Sequence, residues 1–515
     1  MKRYSPGFRT ILLLAACTPI VLHAQQQAKR NGDDVKMQHA QLGIDDDQKN
    51  NYQHTTHPDA QWYPQAGFGM FIHWSIASVK ELDLSWPMMS GTQIGWSSKK
   101  PSQDSVDRFI ANGDFFAGHR CKVNQSCITP NQYWAMAKDF NPQSCDVDSW
   151  VKLAKEAGMQ YVVFTTRHHD GFAMWPSKYG DFNTNNYLGG RDFVKEFVTA
   201  CRKYGLKIGL YYSGPDWHFN REFQSFMYYG VGRDYKNIPS VDADLHVRTT
   251  TKTDAEKQQH YEKVATYIKG QVEELLTNYG KIDMIWFDGG PDIPRGNVAW
   301  QRTITMDRIH QLQPGIVVSP RFFGYGDYKT LEGDKALPNT KQAGWAELCA
   351  TIADPGWGYT KAPLKSTAYV LNQLVTCRSS NANLLLNFGP TKDGVFSDAM
   401  ISRLHKIATW MKTNHTAITN TASLDDTETA SVPATAAGKH RYLFIMPDVI
   451  NKLSAASNKT DVLSVTFTTP AQIKKIKVMG NNTTLQYTVT AGQINIQVPA
   501  SVRTINGDVI DVEVK

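Results

Sequence analysis

Ile282-Asp-Met-Ile-Trp-Phe-Asp288, closed by Gly289 and Gly290, is the stretch on which the reading of this chain turns. Its apolar and aromatic residues, stopped by two glycines, predict a buried strand that ends in a turn. A carboxylate at such a strand end is expensive to bury unless it has a partner or performs chemistry. Upstream, Thr165-Thr-Arg-His-His-Asp-Gly-Phe172 repeats the design, an apolar strand ending in polar groups. Several strands that each deliver a polar side chain to one rim describe a barrel enzyme.

Working outward, Phe68-Gly-Met-Phe-Ile-His-Trp74 reads as a first buried strand. Helical patterns cover 131–140, 148–157, 192–204, 253–278 and 297–311, and strands cover 160–166, 206–213, 282–288 and 315–319. Further strand candidates at 343–350 and 383–387 bring the count to seven or eight. Strands alternating with helices at this pace argue for parallel βα units and a (β/α)8-like TIM barrel, with a helix near 397–413 finishing it. His73, His168, His169, Tyr211, Asp288 and Arg321 then fall at C-terminal strand ends. The stretch around Trp86 and Trp96, up to about residue 128, reads as an irregular loop over one end. Past residue 417, short Thr/Val/Ile-rich segments separated by turn signals predict a C-terminal antiparallel β-sandwich. The expected domains are therefore 56–416 for the barrel and 417–515 for the sandwich.

The 515 residues are ample for such a core, and 41% hydrophobic with 20% charged content is that of an ordinary globular protein. Residues 1–24 have a basic start and an apolar run, too short and wrongly flanked for a spanning helix, and predict a secretory signal. Two readings of its end stand: Leu14-Ala-Ala-Cys17 resembles a bacterial lipobox that would lipidate Cys17, or cleavage simply follows Ala24. Either way the expectation is an exported protein, periplasmic or anchored at the outer membrane of a bacterium. Residues 25–55, rich in Gln, Asp and Asn, read as a flexible leader. The formal charge of +7 drops to about +4 without Lys2, Arg3 and Arg9, and no block of five or six like charges occurs, so a nucleic-acid role has no support. Six cysteines remain after Cys17; Cys121 and Cys127 are the best disulfide candidates, Cys201 reads as a buried thiol, and the spacings match no zinc motif.

Glycoside hydrolysis needs two carboxyl groups, one opposing the developing cation at the sugar and one assisting the leaving oxygen. Asp288 suits the first task, since His and Arg neighbours favour its charged form. Glu332, in the Gly- and Lys-flanked loop Asp327-Tyr-Lys-Thr-Leu-Glu332, suits an acid approaching from the rim. Against these stand a strand-end ion pair for Asp288 and a solvated loop position for Glu332. His168 and His169 can be read as metal ligands, as hydrogen-bonding groups for sugar hydroxyls or as core histidines. Adjacent strand residues face opposite ways, so a shared metal requires the strand to have ended before them. His73 carries the same alternatives. Trp86 is a stacking platform or a loop anchor. Only one tyrosine of Tyr211-Tyr-Ser213 can face the barrel centre, and Asp216-Trp217 shapes the rim.

Together these segments resemble glycoside hydrolase family 29, the α-L-fucosidases, from about Trp62 to Pro390. Phe68–Trp74 is similar to that family's first-strand motif, Arg167-His-His-Asp-Gly-Phe172 to its Lys-His-His-Asp-Gly-Phe signature, and Trp286-Phe-Asp288-Gly to its nucleophile motif. Arg321 with 327–332, Trp345-Ala-Glu347, Trp357-Gly-Tyr359 and Asn383–Pro390 continue the pattern. Arg167 replaces the usual lysine, Ser75 the usual glycine, and Ser380-Asn-Ala-Asn383 the common Gly-Gly-Asn. The resemblance implies a retaining exo-α-L-fucosidase acting on a fucosylated oligosaccharide or glycoconjugate, with Asp288 as nucleophile and Glu332 as acid/base, Glu347 being the fallback. It places His73, His168, His169, Tyr211, Arg321 and Trp86 on the sugar, requires no cofactor or metal, and leans toward the broad-specificity branch. A metal-dependent barrel hydrolase and a non-catalytic fucose-binding lipoprotein are the rival expectations.

Overall fold

The structure, a computed structural model, describes residues 54–95, 97–113, 115, 128–291, 293, 303–321, 326–354, 356–447 and 461–515. The signal segment with Cys17, nearly all of the leader, Trp96, the Cys121/Cys127 pair and residues 297–302 of the expected 297–311 helix lie outside the described residues; in the described part that helix begins only at Met306.

Eight strands form one parallel sheet: β1 (Phe68–Ile72), β2 (Tyr161–Arg167), β3 (Lys207–Ser213), β4 (Met284–Asp288), β5 (Val317–Val318), β6 (Lys329–Glu332), β7 (Ala346–Thr351) and β8 (Ala382–Phe388). The hydrogen-bonded order is β5-β4-β3-β2-β1-β8-β7-β6, so the sheet curls with β5 and β6 at its two edges. Asp327 clasps those edges together. Its N–H donates to Val318 O (2.9 Å), and its Oδ2 accepts from Val318 N (2.7 Å), a side chain standing in for a ladder bond. Oδ1 of the same carboxylate accepts Thr55 N (2.8 Å), tying the start of the described chain to this seam.

Helices α1 (Val147–Glu156), α2 (Phe193–Tyr204), α3 (Asp254–Thr277), α4 (Met306–Leu312), α5 (Thr367–Ser379) and α6 (Asp398–Asn414) connect or follow the strands. Local sequence sets their ends. Thr253 and Glu256 form a reciprocal capping box at α3, and α2 stops where Gly205 turns left-handed at φ +65°. The strands alternate as a period of two demands. Ile285 and Phe287 pack outward on the helices, whereas Met284 and Trp286 join Phe71, Tyr161, Val163, Tyr211, Tyr328 and Leu385 in a second apolar cluster inside the barrel. Asp288 continues the Met284-Trp286 series and so reaches the rim on the inner side. Gly69 belongs to the same logic: a Cβ there would lie 2.5 Å from the Tyr161 ring, which crosses the interior at that point.

Two expectations need correction. The segment 131–140 is a short helix, Pro130–Ala135, that tightens into a 3-10 turn at Met136–Lys138. Glu332, expected in a loop, closes strand β6. That strand is only four residues long and carries polar groups inward, which hid it from hydrophobic patterning. The stretch after β1 is also more regular than expected, with a helix at Gln103–Asn112 and a 3-10 turn at Trp86–Met88.

Beyond the barrel, two antiparallel sheets pack face to face. Leu463, Val465, Phe467, Ile494 and Ile496 of one meet Leu443, Ile445, Ile476, Ile510 and Val512 of the other in a separate core. The junction is a polar lock. Buried Arg378 on α5 donates to Ile418 O (3.1 Å) and Thr421 O, both beyond α6, and to Ala382 O (3.1 Å) in the barrel. Thr435 Oγ1 donates to Ala417 O (2.8 Å), and Trp410 Nε1 of α6 donates to Gly507 O (2.9 Å). Cys201 is the buried thiol its helical position predicts, and Cys145, Cys349 and Cys377 are likewise buried and free.

Candidate active site

The inward residues at the C-terminal strand ends converge. Asp288 accepts from Arg321 Nη1 at Oδ1 (2.9 Å) and from Tyr211 OH at Oδ2 (2.7 Å), and His169 Nε2 lies 3.7 Å from Oδ2. Burial pushes the Asp288 carboxyl up, but the Arg321 charge, His169 and the two donated hydrogen bonds outweigh it and hold the group below its ordinary value. The other end of the guanidinium, Arg321 Nη2, donates to Glu332 Oε2. One cation therefore joins two carboxylates delivered by β4 and β6, strands on opposite sides of the seam. Arg321 in turn lies over the Trp286 ring, 4.9 Å from its centroid.

Strand β2 ends at Arg167, so His168 and His169 both lie past it and share one side, the condition set above for a common task. His168 Nδ1 pairs with Ser85 Oγ (2.8 Å). His73 Nδ1 donates to Asn387 Oδ1 (2.7 Å), an orientation fixed because Asn387 Nδ2 donates to Trp357 O (2.6 Å). This leaves His73 Nε2 as an acceptor. Burial lowers His73 and His169 to about 4, and holds His168 well below its ordinary value, with the neighbouring histidines adding to the effect there. All three are neutral at physiological pH. His169 Nδ1 and Arg321 Nε are buried with no hydrogen-bond partner among the described residues.

Tyr211 is the inward tyrosine, stacked on Trp286 (5.6 Å, 16°), while Tyr212 faces out beneath the Arg167 guanidinium (4.1 Å). The half-buried Trp86 meets His169 and Trp217 edge-on at 5.5 Å and 5.4 Å, so it belongs to this site. It gets there through a strained loop: Glu81 and Leu84 adopt left-handed φ of 55° and 56°, conformations that cluster at functional sites. Glu347 does not belong to the pocket. It is 0% exposed inside the barrel and accepts from Tyr161 OH (2.7 Å), Trp286 Nε1 (2.9 Å) and Tyr63 OH (3.2 Å), which removes it as a fallback acid.

Sequence reasoning missed Ser85 and Asp83. Asp83 accepts from Trp357 N (2.7 Å) and Gly358 N (3.2 Å), holding Trp357 5.2 Å from the His73 ring. Both are single polar residues in a loop without periodicity, and nothing in the sequence marks them. Arg167 is also more than a variant of a signature. It is fully buried, 3.1 Å from Asp216 Oδ2 and 2.9 Å from Gln271 Oε1, bracing the strand end that carries the two histidines.

His168, His169 and Asp288 could each offer one metal-ligand atom, all within 4.8 Å of one another. The charge pattern opposes a cation there, because Asp288 already bears the Arg321 guanidinium at 2.9 Å. Neutral histidines, an arginine and two carboxyl groups at the C-terminal rim of a parallel barrel define instead a glycoside hydrolase site.

Known proteins agree. The sequence profile described as Alpha-L-fucosidase matches residues 36–416. Tissue alpha-L-fucosidase of Bos taurus is 29% identical over 375 residues, covering 70% of this chain and 69% of its own, and plasma alpha-L-fucosidase of Homo sapiens is 27% identical over 402 residues, covering 74% of each. In fold, alpha-L-fucosidase isoenzyme 1 from Paenibacillus thiaminolyticus superposes with a TM-score of 0.65 at 24% identity, covering 89% of this chain and 99% of that one. A Bacteroides thetaiotaomicron GH29 α-L-fucosidase, trapped as a covalent intermediate with 2-fluoro-fucosyl fluoride, gives 0.65 at 20% identity, with coverage of 90% and 99%. The chain belongs to the alpha-L-fucosidase family, glycoside hydrolase family 29.

Proposed function

We propose that this chain is an exported retaining exo-α-L-fucosidase that removes terminal α-L-fucose from an oligosaccharide or glycoconjugate. The observation that carries the assignment is the Arg321 guanidinium holding Asp288 with one nitrogen and Glu332 with the other. An Asp288 carboxylate oxygen attacks the anomeric carbon while the bond to the leaving oxygen breaks, and Glu332 gives that oxygen its proton. Glu332, now a carboxylate, takes a proton from water as the water oxygen attacks the same carbon and the Asp288 ester bond breaks. Before the first step, Glu332 leaves Arg321 and takes up a proton, and Arg321 keeps Asp288 ionised.

His73 and His168, neutral and oriented by Asn387 and Ser85, and the neutral His169 beside Asp288 suit the sugar hydroxyls. Tyr211 and Arg321 suit the ring and the attacking carboxylate, and Trp86 suits the outer edge of the pocket. The signal-like residues 1–24 support export, with periplasmic release after Ala24 or lipid anchoring at Cys17 as its two routes. Among the described residues no helix is long and apolar enough to cross a membrane.

A panel of aryl glycosides tests the substrate: α-L-fucoside should turn over and β-D-galactoside should not. Binding of fucose without turnover would instead support the non-catalytic reading. The charge on Arg321 disfavours a metal at the His168–His169–Asp288 cluster, and a chelator tests this. Activity should survive exhaustive dialysis against EDTA, whereas loss restored by zinc would favour the metal.

A further inference from the structure

The two protein groups that hydrogen-bond Asp288 have a common support. Tyr211 stacks on Trp286 (5.6 Å, 16°), and the Arg321 guanidinium lies 4.9 Å from the centroid of the same ring. Trp286 is 1% exposed, and its one polar atom, Nε1, donates to Glu347 Oε1 at 2.9 Å. Glu347 itself is held from the closed end of the barrel by Tyr161 and Tyr63, which donate to its other oxygen, Oε2. A buried carboxylate costs several kcal/mol unless it is fully paired. Here it makes no ion pair among the described residues and directs one of its oxygens to an indole. Such a group is hard to explain as packing alone.

We propose that Glu347 is a positioning residue for catalysis: by fixing the indole of Trp286 it aims Tyr211 and Arg321 at Asp288. The inference rests on the fucosidase reading for its assay but not for its geometry. The charged and polar groups with the largest effect on the Asp288 charge are on this shelf or beside it. Arg321 and Tyr211 sit on the ring, His169 and His73 line the pocket, and Glu332 competes for Arg321. Loosening the indole lets Arg321 follow Glu332 and leaves Asp288 with fewer donors. A carboxyl that loses such donors is easier to protonate, so the acidic limb of the pH profile moves to higher pH.

The test compares kcat/KM against pH on an aryl α-L-fucoside for wild type, Glu347→Gln and Trp286→Phe. Both variants should lose about 10²-fold in kcat/KM, as misplacement of a reacting group by an ångström does. Both should also shift the acidic limb upward by roughly one unit, the smaller end of what a neighbouring arginine is worth to a carboxylate. Trp286→Phe keeps a ring under Arg321 while removing the N–H, so it reads the anchor even where Glu347→Gln folds poorly. An acidic limb unmoved in Trp286→Phe, or in a folded Glu347→Gln, overturns the proposal and leaves Glu347 a core residue. A wild type inert on the fucoside would sink the substrate assignment instead, and the same profiles would then be read on whichever glycoside of the panel it cleaves.

Discussion

Arg321, three residues past β5, donates to Glu332 at the end of β6, and this hydrogen bond crosses the seam where the curled sheet meets itself. Its second nitrogen reaches Asp288 at 2.9 Å. The resting site thus carries two negative groups on one positive one. On the proposed mechanism, substrate entry has to detach Glu332 from Arg321 to create an acid, while Asp288 retains Tyr211 as a further donor.

Glu332→Ala should therefore lower turnover by about 10²–10⁴-fold on fucosides with poor leaving groups and much less on activated aryl fucosides. Added azide should restore part of the rate on the activated substrate by replacing the attacking water, giving a fucosyl azide detectable by mass spectrometry. Equal losses on both substrate types with no azide product would move the acid role elsewhere.

If Asp288 is the nucleophile as proposed, Asp288→Gly removes the attacking atom and should reduce kcat on the order of 10⁴-fold or more. The fold should persist, since the vacated Arg321 still has Glu332 and the Trp286 ring. Peptide mapping after incubation with 2-fluoro-fucosyl fluoride should find the sugar on Asp288 in wild type and nowhere in this variant.

The stability of the protein should fall between pH 6.5 and about 4. Burial holds His73, His169 and His218 at about 4 against an ordinary 6.5, so in this window the unfolded chain binds protons that the native one refuses. Stability from these groups is present above pH 6.5 and is lost as pH falls toward 4. Asp170, pushed by burial to about 6, works the other way from pH 6 down, as does Glu347, which burial also raises. His168 and His260, also lowered by burial, add to the loss, while Asp192, Asp327 and Asp508, also raised by burial, add to the offset. The histidine shifts span the whole window, and the net loss should be a few kcal/mol, on the order expected for such shifts. Thermal melts across this range check it, and a Tm that rises on acidification would contradict the buried neutral histidines.

Asp327→Ala should unclasp the seam. The buried Val318 N–H would lose its acceptor, a cost of about 1–3 kcal/mol readable by urea denaturation. Because Arg321 follows β5 and Glu332 ends β6, the variant should also lose more activity on poor leaving groups than on good ones. Asp327→Asn, which retains an acceptor for Val318, should fall between the two.

Alternation along each strand made much of this site legible before any coordinates. Met284, Trp286 and Asp288 differ by twos, and so do Phe71 and His73, which is why apolar runs with polar ends pointed to a rim. The same rule allowed only one of Tyr211 and Tyr212 to face inward, the family resemblance pointing to Tyr211. It failed at β6, where Tyr328, Thr330 and Glu332 face inward but Lys329 is charged and exposed, leaving no apolar signature. It was silent on Ser85 and Asp83, whose roles follow from left-handed turns at Glu81 and Leu84 that no residue type there announces. Glu347 stood only as a fallback acid, and its burial among Tyr63, Tyr161 and Trp286 was not legible, because sequence does not say which end of the barrel an inward carboxylate faces.

The lock at Arg378 bears on any attempt to shorten this protein. Its guanidinium, which burial lowers to about 10, finds two of its acceptors in residues 418–421, past the point where composition suggests a clean cut. A chain ended at residue 416 would strand a cation in the wall of the catalytic half. Residues 418–421 thus belong with the enzyme half, and a minimal version should be trimmed no further back than residue 421.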